Sequence, residues 1–122
     1  MSLNYLDFDY SEDTEGVGVF DAMASTGAQQ LGAVHAEVVQ VLAWAHSAFA
    51  GRRAPVGEGG DWDYDLQGMQ ELSLPEFLDY DEEGRRLRVR TGPAGAPRHT
   101  VTLSIGGTAA FCAAFRERFA PD

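Results

Sequence analysis

Alternating apolar and polar residues recur along the chain and predict most of its strands. In the first such stretch, Leu6, Phe8 and Tyr10 lie on one side and polar residues, mostly aspartates, lie on the other. Alternation with a period of two is typical of a half-buried strand. A polar turn at residues 11–16, followed by the stretch VGVFDAMA at residues 17–24, then predicts a β-hairpin.

Two other segments repeat apolar residues at helical spacing. Residues 31–49 predict a long helix. Thr26 and Gln29 match a capping box, so we expect this helix to begin near them. A second apolar stripe predicts a C-terminal helix that Thr108 caps. Its members are Phe111, Cys112, Phe115 and Phe119.

The stretch FLDYDEEGRRLRVRT predicts a second hairpin. A loop of four residues places Asp81 opposite Arg86, with Gly84 at the position that needs a positive φ. Two residues further along, Asp79 faces Arg88. The other side of this hairpin is apolar, so both faces are chemically consistent with the register.

The predicted elements define a fold class. Residues 61–72 and 99–105 also alternate, which gives the order β-β-α-β-β-β-α. Because no βαβ unit repeats, we expect a mainly antiparallel sheet with both helices on one face. This arrangement is an α+β two-layer sandwich. The length of 122 residues predicts a single globular domain over residues 1–122.

Charge is distributed unevenly along this chain. There are 19 acidic and 9 basic residues, for a formal net charge of −10 at pH 7. Every basic residue is an arginine, and residues 1–51 contain none. Direct nucleic-acid binding requires a basic surface, so we expect none here. The acidic N-terminal half instead favours a basic protein partner or a cation.

The sequence also predicts where the protein acts. Its only cysteine, Cys112, excludes an intrachain disulfide, which agrees with a reducing compartment. No apolar run approaches the length of a membrane span, and the N-terminus lacks the basic start of a signal peptide. We therefore expect a cytoplasmic protein with no membrane contact.

Three phrases alternate aspartate with an aromatic residue or leucine: YLDFDY, DWDYDL and FLDYDE. The third has arginines opposite its aspartates in the predicted hairpin. The first two have no such arginines, so their four central aspartates are the candidate partner-binding residues of an acidic sheet face. These candidates are Asp7, Asp9, Asp63 and Asp65.

A divalent-cation site is an alternative for the same four aspartates, because clustered carboxylates bind Ca²⁺ or Mg²⁺. A linear calcium loop beginning at Asp7 fails, since Glu12 stands where glycine is needed and Gly18 where glutamate is needed. The sequence therefore predicts no cofactor, and a cation site would require the aspartates to gather in the fold.

Trp44 lies off the apolar stripe of the long helix, near Glu37 and Gln40. An outward-facing tryptophan is a suitable interface anchor, so Trp44 joins the candidate partner-binding residues. The alternative is that the second helix, or the loop at residues 51–60, covers it. An unpaired edge strand together with an outward Trp44 favours a homodimer.

An enzyme is the third interpretation. It would use His35, His99 or Cys112, and it requires these groups to converge in one pocket. No catalytic or zinc-binding signature is present in the sequence. The leading prediction is therefore a small acidic binding module without catalytic activity of its own.

Overall fold

The computed structural model describes residues 3–119. Its elements follow the predicted order, except that four strands rather than three lie between the two helices, because the second hairpin contributes two strands. The strands and helices are β1 Asp9–Glu12, β2 Gly18–Gly27, α1 Ala28–Ala48, β3 Trp62–Glu71, β4 Glu76–Asp81, β5 Arg86–Thr91, β6 Arg98–Gly107 and α2 Ala109–Phe119. A short 3-10 turn, Val56–Glu58, interrupts the loop between α1 and β3.

The strands form two antiparallel sheets. One has four strands in the order β1-β2-β6-β3, and the other is the β4–β5 hairpin alone. Strand β6 follows all the other strands in sequence, yet it lies between β2 and β3 and pairs with both over ten residues. The α+β class is confirmed, while the separation of the second hairpin from the main sheet was not predicted.

Both helices pack on one face of the four-stranded sheet, and the core lies between them and that face. Phe20 on β2 stacks on Phe115 of α2, with ring centroids 4.3 Å apart. Trp62 on β3 stacks on Phe111 at 5.8 Å. Each of these four rings is fully buried. The predicted apolar stripes therefore meet, and aromatic pairs dominate their packing.

The N-terminal segment enters the core before it becomes a strand. Leu6 and Phe8 are buried as predicted, but β1 begins only at Asp9. Upstream of it, the carboxylate of Glu37 on α1 accepts hydrogen bonds from the backbone N–H groups of residues 4–6, with N···O distances of 2.8–3.2 Å. This carboxylate replaces the strand partner that the segment lacks.

Helix α1 begins at Ala28, near the predicted residues, but the predicted capping box does not form. Thr26 still belongs to β2, where it pairs with His99, and Gly27 occupies the N-cap without a side-chain hydrogen bond. The continuing sheet ladder outweighs the local capping signal. At α2 the prediction is confirmed, because the Thr108 hydroxyl oxygen accepts a hydrogen bond from the N–H of Phe111 at 3.3 Å.

The β4–β5 register is confirmed, with Asp81 opposite Arg86 and Asp79 opposite Arg88. Its loop differs in one detail, because Arg85 rather than Gly84 has the positive φ, at 53°. The Asp81 carboxylate accepts hydrogen bonds from the N–H groups of residues 83 and 84, at 3.2 and 3.3 Å. A Cβ at position 84 would lie 2.7 Å from the Asp81 carboxylate, so a larger residue there would displace that side chain.

Within residues 3–119, neither helix is long and apolar enough to cross a membrane.

Candidate functional site

The outer face is the side of the four-stranded sheet that points away from α1 and α2. Register places Asp9 opposite Asp21, Asp21 opposite Ser104, and Ser104 opposite Asp65. Residues paired in this way point to the same side of a sheet, and neighbouring strands lie about 4.8 Å apart. Three carboxylates therefore form one row across the outer face, over about 14 Å.

The pair Asp9–Asp21 is unfavourable by itself, because like charges directly opposite one another destabilise an antiparallel sheet. The Ser104 hydroxyl donates a hydrogen bond to Asp21, and the Gln67 amide donates one to Asp65 at 2.9 Å. Both donors are neutral. No ion pair within residues 3–119 involves Asp9, Asp21 or Asp65, so no arginine offsets the charge of the row.

The four predicted aspartates occupy three different environments. Asp65 and Asp9 lie at opposite ends of the row, on the two edge strands of the sheet. Asp63 lies on the same face as Asp65 but is ion-paired with Arg53 at 2.9 Å. Asp7 is exposed and precedes β1, outside the ladder. The sequence interpretation overlooked Arg53, which lies ten residues before Asp63 and becomes its neighbour only when the loop folds.

Asp21 is the residue that sequence reasoning missed. It connects the two ends of the row because β2 lies between β1 and β6. A signal was present, since Phe20 and Ala22 alternate with Asp21 in a predicted hairpin partner of the first strand. Choosing the hairpin register would have placed Asp21 opposite Asp9.

The arginines after α1 anchor the loop that leads to β3. Arg52 donates to Asp61 at 2.8 Å, and this hydrogen bond, together with the positive charge, holds the pKa of the Asp61 carboxyl below its ordinary value. The same contact raises the pKa of Arg52. Arg53 also lies over the ring of Tyr64, 4.4 Å from its centroid.

The aspartates do not gather as a cation site requires. Among residues 3–119, no three His, Cys, Asp or Glu side chains are arranged so as to hold a metal ion. Strands β2 and β6 separate Asp9 from Asp65, whereas the oxygen ligands of Ca²⁺ lie about 2.3–2.6 Å from one ion.

A shallow cavity of about 310 Å³ lies beside Asp65 on the outer face. Its lining includes Asp63, Ser104 and three valines, Val17, Val19 and Val56. Gly106 and Gly107 also line it. An apolar wall next to a carboxylate suits a lysine or arginine side chain, whose methylene stem is apolar and whose tip is cationic.

Trp44 does not face outward, and that expectation is wrong. Its half-buried ring packs against three phenylalanines of α2, with centroid distances of 5.5–5.9 Å. Helix α2 lies beside α1 as well as on the sheet, so it covers the flank of α1 that carries Trp44. Of the two alternatives, coverage by the second helix is the one observed.

The groups of the enzyme interpretation lie far apart. Cys112 is 2% exposed, and its thiol lies 3.6 Å from the carbonyl oxygen of Gly107. His99 lies eight residues from Gly107 along β6, which corresponds to about 26 Å. His35 borders a separate groove between α1 and β3. Cys112 and His99 therefore lie at opposite ends of β6 and do not converge.

The chain matches no protein-family model, no curated protein and no solved structure.

Proposed function

We propose that the protein is a non-catalytic binding module whose outer face binds a basic segment of a partner protein. The direct pairing of Asp9 with Asp21, without a neighbouring cation among the described residues, supports this proposal most strongly. A local arrangement that costs stability and has no compensating cation is typical of a functional surface. A basic partner would offset the repulsion on binding.

The residues contribute unequally. Asp9, Asp21 and Asp65 form the core of the proposed surface, because their carboxylates share the row and lack ion pairs within residues 3–119. Asp63 contributes less, since Arg53 already neutralises it, and Asp7 adds negative charge next to β1. The cavity beside Asp65 would receive one lysine or arginine side chain of the partner.

Trp44 has no part in this surface, because α2 covers its ring. The cytoplasm remains our proposed location, and the proposed partner is a protein rather than a nucleic acid. Negative charge on the face would also accelerate encounter with a basic partner, an effect that salt weakens.

Titration calorimetry with an oligoarginine peptide tests the proposal. We compare the wild type with an Asp9→Asn/Asp21→Asn/Asp65→Asn variant and with a control, Glu82→Gln/Glu83→Gln/Glu117→Gln, that removes the same charge away from the outer face. The first variant should bind about tenfold more weakly, since three exposed ion pairs are each worth roughly 0.5 kcal/mol. The control should change affinity less than about twofold.

Stability provides an independent measurement. Asp21→Asn alone should raise the free energy of unfolding by about 0.2–1 kcal/mol, because it removes the charge opposite Asp9. Weaker peptide binding with higher stability would support a functional surface. No peptide binding by the wild type, or an equal loss in both triple variants, would refute the proposal.

A further inference from the structure

Exposed apolar side chains are concentrated in one part of the molecule. Of the eleven exposed large hydrophobic side chains in the described structure, nine lie between residues 66 and 89. Most belong to the β4–β5 hairpin, in which every strand residue except Asp81 is exposed. A two-stranded hairpin is at best marginally stable alone in water, so a hairpin with an uncovered apolar face requires a partner.

Strand β3 offers the matching feature, a free edge. It pairs with β6 along one side, while along the other side residues 64–71 pair with no strand in the described part of the chain. An edge of this length exposes unpaired backbone N–H and C=O groups, which readily accept an additional strand.

The side of the sheet that faces the helices is also open beside this edge. A groove of about 530 Å³ lies between α1 and β3, lined by His35, Val39, Leu66 and Gly68 among others. Val39 is 64% exposed, and a Cβ placed on Gly68 would meet no atom within 4 Å. The groove therefore has room for apolar side chains from an added strand.

The two faces of β5 match the two sides of β3. Leu87 and Val89 form the apolar face of β5, and its other face carries three arginines, Arg86, Arg88 and Arg90. If β5 joined the β3 edge with its apolar face toward the groove, the arginines would lie on the outer face. There β3 presents Asp65 and Glu71, which have no ion pair within residues 3–119. Burial and charge therefore favour the same orientation.

We propose that the β4–β5 hairpin of a second copy of this chain adds to the β3 edge through β5, and that two copies exchange their hairpins reciprocally. Such an interface is self-complementary and closes with two-fold symmetry. It goes beyond the proposed function. Asp65 belongs to both surfaces, but the Asp9–Asp21 pair lies toward the opposite edge of the sheet, so either proposal can fail without the other.

A second copy fits this edge better than the chain's own hairpin does. Only residues 72–75 connect β3 to β4, so within one chain the ordinary antiparallel neighbour of β3 would be β4. That pairing, with the apolar face inward, would place Asp79 and Asp81 on the outer face with Asp65. Like charges would then meet, whereas β5 of another copy brings arginines.

Sedimentation velocity measures the oligomeric state directly. At about 100 μM the wild type should have twice the 13.2 kDa mass of one chain, the monomer–dimer equilibrium being measurable by dilution. Val89→Glu should raise the dimer dissociation constant about 100-fold or more, because it buries an unpaired charge in each of two interfaces. Met23→Glu is the control, since Met23 is also exposed but lies on β2.

Charge exchange tests the orientation of the added strand. Arg86→Glu/Arg88→Glu and Asp65→Arg/Glu71→Arg should each weaken self-association, and an equimolar mixture of the two variants should form a heterodimer. Native mass spectrometry distinguishes the species.

A monomeric wild type would overturn the proposal, whether the hairpin then folds onto its own chain or awaits another protein. A dimer that Val89→Glu leaves intact would also overturn it. So would charge-exchange variants that form no heterodimer when they are mixed. Thermal unfolding of each variant checks that the four-stranded sheet remains folded.

Discussion

Strands β6 and β5 alternate apolar and polar residues in the same manner, yet their environments are opposite. In β6, Leu103 and Ile105 are fully buried between the helices and two neighbouring strands. In β5, Leu87 and Val89 are each 58% exposed, and within residues 3–119 this strand pairs with β4 alone. The same local pattern therefore builds the centre of the core in one case and an uncovered surface in the other.

This difference shows which features of a strand an alternating sequence predicts and which it does not. A period of two determines which side chains share a face, because successive residues of a strand point in opposite directions. It does not determine what covers that face. In β6 the cover comes from α2, which follows it directly, whereas in β5 the described chain provides no helix for the purpose.

The largest expected effect separates the core from the hairpin. Phe115→Ala should lower the free energy of unfolding by about 3–5 kcal/mol, because the ring packs on Phe20 and Phe8 and leaves a cavity. Tyr80→Ala, in the hairpin, should change it by less than about 0.5 kcal/mol when the protein is dilute. Urea unfolding followed by circular dichroism measures both, and similar losses would show that the hairpin belongs to the same core.

A smaller effect concerns the segment that precedes β1. Glu37→Gln removes the charge and one of the two acceptor oxygens that bind the N–H groups of residues 4–6, so we expect a loss of about 1–3 kcal/mol. Glu117→Gln on exposed α2 surface is the matched control and should be nearly neutral. Hydrogen exchange at residues 4–6 should accelerate in the first variant alone. Unchanged protection there would mean that Glu37 does not anchor the segment.

The smallest expected effect is the pH-dependent contribution of the Arg52–Asp61 ion pair to stability. Because the folded-state pKa of Asp61 lies below its ordinary value of 3.8, the Arg52–Asp61 contact stabilises the fold above that value and is lost as pH falls through the folded pKa. Arg52→Gln should therefore be less stable than wild type at about pH 6, and the difference should shrink as pH falls through the folded-state pKa of Asp61.

Arg85→Gln is the control for this comparison, since it removes the same charge from the loop of the hairpin. Its stability difference from wild type should not follow the titration of Asp61. A difference for Arg52→Gln that stays constant from neutral to acid pH would contradict the assignment of the effect to the ion pair.

Local patterns predicted most of the secondary structure correctly. The order of elements, the long helix and the register of the β4–β5 hairpin followed from spacing, because each depends on residues close together in sequence. The capping of α1 by Thr26 did not follow, since Thr26 is held in the sheet by a strand more than seventy residues away. The prediction that Trp44 faces outward was wrong for the same reason, because residues of α2, distant in sequence, cover its ring.

Prediction of the candidate site was less complete. Sequence reasoning selected Asp9 and Asp65, but it did not identify Asp21 as the residue that joins them in one row. It also treated Asp63 as unpaired, although Arg53 lies beside it. Glu37 was missed too, even though it follows Val34 by three residues and so falls on the buried side of α1.

The sequence by itself determined both helices, most of the strands and which of their residues share a face, because these depend on backbone periods of two and 3.6 residues. It also determined the acidic balance of the chain and its concentration in the N-terminal half. Only the tertiary structure decided that β6 lies between β2 and β3, and that the β4–β5 hairpin stands apart. Strand order joins residues distant in sequence, so it alone created both the row of carboxylates and the free β3 edge.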